Sequence, residues 1–206
     1  MRIRSPNWIS LLAVLLSTSL MSGCTALKPP TLENTHLYTL EAKPDNQTVA
    51  PASRQVLAVG MPSARPGYDT PQIAYQRQPL ELEYFVTQRW ADTPARMLKP
   101  LLVQALEPGF QAVVQAPSPV AAQLRLDTEV IRLQQDFTSK PSRVQFTLRA
   151  QLTDLQNKKI VAVKVFDESE VAISEDAYGG VVATNLALQR ILSQLAEFCR
   201  NASTKP

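Results

Sequence analysis

Two cysteines and one histidine are the only soft ligands or ready nucleophiles in the 206-residue chain. A zinc centre asks for about four such ligands around one ion. Cys24, His36 and Cys199 are too few and too far apart in sequence to supply them. A Ser-His-Asp relay would have to borrow His36 from the N-terminal stretch, and a surface position suits that residue better. Gly179-Gly180 lacks the Lys-Ser/Thr that completes a phosphate-cradling loop. The carboxylates of Asp167-Glu168-Ser169-Glu170 and Ser174-Glu175-Asp176 do not follow calcium-loop spacing. The chemistry-bearing residues therefore predict a non-enzymatic protein with no catalytic residues, no metal site and no cofactor. The remaining candidate for covalent chemistry is Cys24, in Ser22-Gly23-Cys24, and its meaning depends on the segment before it.

That segment reads LLAVLLSTSLMSGCTALKPP around the cysteine. Arg2 and Arg4 come first, Trp8 to Leu16 is apolar except for Ser10, and small residues follow. A bilayer-spanning helix needs about 20 predominantly apolar residues; this run is shorter and is diluted by serines and a threonine. The layout is that of a secretory signal over 1–23. Leu20-Met21-Ser22-Gly23-Cys24 resembles the lipobox of bacterial lipoproteins, with Met21 where leucine is usual. The resemblance implies diacylglycerol on the Cys24 thiol, cleavage between Gly23 and Cys24, and acylation of the new amine. Two or three acyl chains at about 0.8 kcal/mol per buried methylene hold a protein on a bilayer. The competing reading is an ordinary cleaved signal with Cys24 an incidental thiol. Thr25, where an aspartate would favour inner-membrane retention, implies by the same resemblance a lipid-anchored position on the periplasmic face of the outer membrane.

Removal of the signal leaves one domain's worth of chain, with a real core. Without Arg2 and Arg4, basic and acidic side chains are close to balance. No basic stripe with interleaved aromatics remains, so nucleic acid is not an expected partner. Cys199, without a disulfide partner once Cys24 is lipidated, falls on an apolar helical stripe and is expected in the core.

Residues 24–53 carry Pro29, Pro30, Pro44 and Pro51 and read as a tether, with a first strand near 36–40, HLYTL. A single body over 54–200 follows, and 201–206 is a polar tail expected to fray. Within the body, 54–61 reads as a short buried strand. Residues 72–77 and 80–85 form a hairpin across Gln78-Pro79. A helix follows from 93 to 107, capped by Thr93, with Pro94 in its first turn, and Pro100 is expected to kink or break it. Strands follow at 112–114, 123–133 (phase slip at Ile131, hence a bulge), 143–152 and 159–173. Val144, Phe146, Leu148, Ala150 and Leu152 are assigned inward, answered by Val161, Val163 and Val165. Gly179-Gly180 opens a last helix over 181–200 whose Leu188, Ile191, Leu192, Leu195, Phe198 and Cys199 cover the dry face of the sheet. The expected fold class is α+β, a mostly antiparallel sheet covered on one face by two main helices.

Tyr38 and Leu40, Pro62, then Gln72, Ile73 and Arg77, then Arg89, Trp90 and Ala91 before a helix resemble the ABC-type transport auxiliary lipoprotein family, which includes the paraquat-inducible C lipoproteins. The similarity extends over roughly 36–198 and is sharpest up to about residue 100. Asp69-Thr70-Pro71 departs from the Asp-Arg pair of that pattern. The resemblance implies a fold similar to the N-terminal domain of TolB. It also implies a periplasm-facing component working beside ABC transporter subunits and an MCE-domain periplasmic protein, moving phospholipid or other hydrophobic cargo between membranes. A homo-oligomer is compatible with it. Arg77, Arg89 and Trp90 are the candidate partner-binding residues; alternatively Trp90 plugs the core beneath the following helix, with Arg89 paired to a carboxylate. The competing functions are a stand-alone lipoprotein holding a small apolar ligand between sheet and helix, and an assembly factor for an outer-membrane protein.

Overall fold

The computed structural model describes residues 34–42 and 53–204. The chain divides into two units, 1–34 and 35–206, and the signal, Gly23 and Cys24 lie outside the described residues. In the second unit the strands are β1 (His36–Tyr38), β2 (Ser53–Val59), β3 (Ser63–Ala64), β4 (Gln72–Gln76), β5 (Glu83–Trp90), β6 (Phe110–Gln115), β7 (Leu124–Asp136), β8 (Arg143–Asp154) and β9 (Lys159–Val171). Helix α1 (Pro94–Leu106) joins β5 to β6 through a 3-10 turn at Glu107–Gly109, and α2 (Ala177–Ser203) ends the fold.

The organising strand is β7. Along one edge it pairs antiparallel with β8, which pairs antiparallel with β9. Along its other edge three strands share it in succession, all parallel: β2 at Leu124–Leu126, β3 at Glu129–Val130 and β4 at Gln135–Asp136. β6 adds to β2, and β1 to β5, also in parallel. The sheet is therefore mixed rather than mostly antiparallel. Alternation along a strand reports which face is wet and says nothing of the direction of its neighbour. The unbroken buried runs Leu57-Ala58-Val59 and Ile73-Ala74-Tyr75 are local signs of strands covered on both faces, as parallel strands are.

The clean alternation of β8 does become the core. Val144, Phe146, Leu148, Ala150 and Leu152 are all buried and face α2, while the register of β7 slips between Val130 and Arg132. That bulge at Ile131 returns Leu133 and Gln135 to the interior beside Phe146 and Val144.

The phase of β9 is the reverse of the expected one. Its register sets Phe166 opposite Leu148, Lys164 opposite Ala150 and Ala162 opposite Leu152, so the even-numbered residues take the inner row. Phe166 is the larger anchor: it is buried and packs edge-on to Phe198 with ring centroids 5.9 Å apart. Lys164 lays its stem inward and its ammonium 4.9 Å from the centroid of the Phe166 ring, the behaviour of a long amphipathic side chain at a rim. Val163 and Val165 stay 46% and 50% exposed.

Helix α1 passes through Pro100 without a break. One missing N–H and a ring clash cost about 3 kcal/mol, but Leu98, Leu102 and Leu106 are buried on the opposite side, each worth about 1.5–3 kcal/mol. The Thr93 hydroxyl makes no cap bond; its backbone carbonyl accepts from Arg96 N and Met97 N. Helix α2 begins earlier than Gly179-Gly180. Asp176 caps it, its carboxylate accepting from Gly179 N at 2.8 Å, so both glycines sit inside the first turn. They are there because space is short: a β-carbon on Gly179 would meet the Ser174 backbone, and one on Gly180 the Gln135 amide. The helix continues into the expected tail as far as Ser203, with Ala202 buried, and residues 205–206 lie outside the described residues.

Candidate docking surface

The residues shared with the family pattern converge on one knot. Trp90 N donates to the Pro71 carbonyl at 2.8 Å and Ala91 N to the Tyr38 carbonyl at 2.7 Å, so β1, the entry to β4 and the end of β5 are tied within two residues. Leu40, Ile73 and Trp90 join the same buried cluster, Trp90 with 3% of its surface exposed. Trp90 thus plugs the core and does not form an exposed pair with Arg89. Arg89 points to solvent and has no ion-pair partner among the described residues.

The other end of the β4–β5 hairpin is the open one. Arg77 places its guanidinium carbon 5.1 Å from the centroid of the Tyr75 ring. Tyr75 packs against Phe85 (4.6 Å) and Phe137 (5.8 Å) and donates its hydroxyl to Glu83 Oε2 at 2.8 Å. That bond, with burial behind it, holds the Tyr75 hydroxyl above its usual pKa. The cation is therefore presented on a rigid aromatic ledge. Beyond it the chain turns through Leu80, a non-glycine residue at φ 69° that is fully exposed. A leucine held in the left-handed region and fully solvated is uncommon; Leu82, two residues on, lies beside Gly67 instead. Arg and Tyr are among the residues enriched at binding hot spots.

Arg77 and Arg89 were legible as candidates through the family pattern; the Tyr75–Phe85–Phe137 ledge was not. Its one sequence signal is the two-residue spacing of Tyr75 and Arg77, which places both on one strand face. Elsewhere, His36 is exposed on β1. Cys199 is buried and its thiol is pushed up to about 12 by burial alone. Among the described residues no three His, Cys, Asp or Glu side chains converge as a metal site, and no helix is long and apolar enough to cross a membrane. Beneath the start of α2, Trp90, Leu133 and Val144 line a void of only about 10 Å³, whereas further along the helix its flank over β9 opens a cleft of about 260 Å³.

The ABC-type transport auxiliary lipoprotein component family matches residues 38–197. The fold is shared with solved structures. Protein XCC0632 from Xanthomonas campestris, itself assigned to the DUF330 family, superposes with a TM-score of 0.70 at 24% identity, over 81% of this chain and 95% of that one. An uncharacterized protein superposes at 0.65 and 14% identity, over 81% and 99%. The hypothetical protein CT253 from Chlamydia trachomatis gives 0.51 and 10%, over 74% and 99%. No curated protein matches the chain. With the tied β1–β4–β5 knot carrying the motif residues and the match running almost from β1 to the end of α2, the chain belongs to the ABC-type transport auxiliary lipoprotein component family.

Proposed function

We propose that the chain is a lipid-anchored, periplasm-facing auxiliary component of an ABC/MCE-type system moving phospholipid or other hydrophobic cargo between the inner and outer membranes. It acts by docking or scaffolding and not by catalysis, held at the outer membrane through acyl chains on Cys24. The observation that carries this reading is the family match over 38–197, which spans the whole described body apart from its two ends. The hairpin end supports a docking role, since it presents Arg77 on the Tyr75 ring beside the fully exposed Leu80, and Arg and Tyr are enriched at binding hot spots. The near-solid packing beneath the start of α2 weighs against a small apolar ligand held at that end of the sheet.

The test is affinity isolation of the full chain from chemically crosslinked envelopes of its native host. Recovery of ABC transporter subunits and an MCE-domain protein, reduced about ten-fold or more in an Arg77→Ala, Leu80→Asp chain, is the expected result. Recovery of neither would overturn the docking role.

A further inference from the structure

The sheet ends abruptly at β9, and the way it ends is informative. The strand spans thirteen residues, Lys159–Val171, and among the described residues it pairs only with β8. Its hydrogen-bonding parity follows from one bond. Ala172 N donates to the Ser142 carbonyl at 2.9 Å, next to the Arg143–Val171 pair. In an antiparallel ladder bonded and non-bonded pairs alternate, so residues 162, 164, 166, 168 and 170 turn their amides toward β8. Residues 163, 165, 167, 169 and 171 turn theirs outward. The contact from Arg190 Nη2 to the Ser169 carbonyl, 3.5 Å, comes from that outward side. Those same odd-numbered residues put the half-exposed Val163 and Val165 on the outer face. Bare edges of this length invite another strand unless something blocks them.

Helix α2 packs across β8 and β9, and where the sheet stops its flank continues. The result is an open cleft of about 260 Å³ lined by Val161, Ala162 and Lys164 from β9 and Gln194, Glu197 and Phe198 from α2. It is the space in which the side chains of a further strand would lie.

We propose that β9 pairs antiparallel with β9 of a second copy of this chain, joining the two sheets across a two-fold axis near Phe166. The charge pattern selects both the occupant and the direction. The first half of the strand region holds Lys158, Lys159 and Lys164; the second holds Asp167, Glu168 and Glu170. Antiparallel self-pairing can set Lys164 against Glu168, whereas in-register parallel pairing sets each charge against its own like. With the axis at Phe166, Lys164 stands opposite the second copy's Glu168 in a non-bonded pair, where side chains approach most closely. A lysine on the inner row of an edge strand ordinarily discourages pairing; in this register it would join the Glu168 carboxylate, which within its own chain accepts from Arg190 and Gln194. The bulge between Leu152 and Thr153 lies at the far end and leaves 163–171 regular. Strands about 4.8 Å apart, each covered by a helix straddling β8 and β9, put the two α2 helices about 10 Å apart, the spacing at which helices pack. Arg190, Gln194, Glu197 and Asn201, one row at helical spacing, would face their counterparts. This inference does not depend on the transport role.

The test is crosslinking of the full chain in native-host envelopes. Val165→Cys places a thiol diagonally across the seam from its own counterpart, and the buried Cys199 stays out of reach of reagent. A short bis-maleimide is expected to give a dimer well above the background set by the unsubstituted chain and by Val86→Cys on β5. In the Val165→Cys chain, adding Val163→Pro removes an outward N–H and leaves the β8–β9 ladder whole. The dimer should then fall about ten-fold or more, with thermal unfolding little changed. A Val165→Cys yield no higher than background, a conjugate with a different protein instead of a dimer, or a dimer indifferent to Val163→Pro would each overturn the proposal.

Discussion

Gly179→Ala is a substitution whose sign the structure decides against helix propensity. In an exposed helix interior the change would stabilise by about 1 kcal/mol. At Gly179 the new β-carbon would fall against the Ser174 backbone, carbonyl and amide alike, as well as its hydroxyl. Backbone cannot swing aside as a side-chain tip can. Either the 172–176 loop moves, which disturbs the Ala172–Ser142 and Ser142–Glu175 bonds, or the first turn of α2 opens and loses the Asp176 cap. Losing the cap costs about 1 kcal/mol and overpacking about 1–3 kcal/mol. Set against the propensity gain, the net is a destabilisation of about 2 kcal/mol, or a Tm lower by roughly 4–8 °C for a body of this size. Urea and thermal unfolding followed by circular dichroism would measure it. Gly180→Ala is the internal comparison, because its β-carbon meets the Gln135 amide, a side-chain tip, and should cost less. A Gly179→Ala protein as stable as the parent, or more stable, would refute the close approach on which the geometry of this helix start rests.

The cap has a pH signature. The Ser174 hydroxyl, then the Gly179 amide, hold the Asp176 carboxyl below its usual range; a depressed folded pKa contributes stability above the ordinary carboxyl value, lost as pH falls through the folded one. Asp176→Ala should therefore cost about 1 kcal/mol at pH 6, and the gap to the parent should close below about pH 4, as read by urea melts across a pH series. Phe146→Ala empties the centre of β8 and should cost about 3–5 kcal/mol by denaturant unfolding; a loss under about 1 kcal/mol would contradict its central place in the core. Cys199, buried with its thiol raised to about 12, should resist maleimide in the folded protein at pH 8 and label fully in urea, and rapid native labelling would show α2 opening locally.

The legibility of the chain varied with the physics behind each element. The alternation of β8, the slip at Ile131 and the Leu188-to-Cys199 stripe report local burial, and each became the element expected. Strand direction is decided by crossovers far apart in sequence, so the parallel additions of β2, β3 and β4 to β7 left no local trace. In β9 two rows of valines, alanine and phenylalanine competed for the inner face. The register with β8 and the bulk of Phe166 chose the even row, a choice that hydrophobicity alone could not rank. Pro100 was overruled by three buried leucines on the far side of its helix. At the candidate site the arginines were visible because they belong to a family pattern. Trp90 was ambiguous because tryptophan serves cores and interfaces equally well. The Tyr75–Phe85–Phe137 ledge needed three segments to meet.

The central claim is that this lipoprotein docks onto a transport system through the exposed end of its β4–β5 hairpin. Its most direct test is a photo-crosslinking amino acid at Leu80 of the full chain, activated in living cells of the native host, with the captured protein identified by mass spectrometry. The account predicts a subunit of an ABC-type transport system captured from Leu80 and not from Gln111, an exposed position on β6. Capture of no transport subunit from Leu80, or equal capture from both positions, would contradict it.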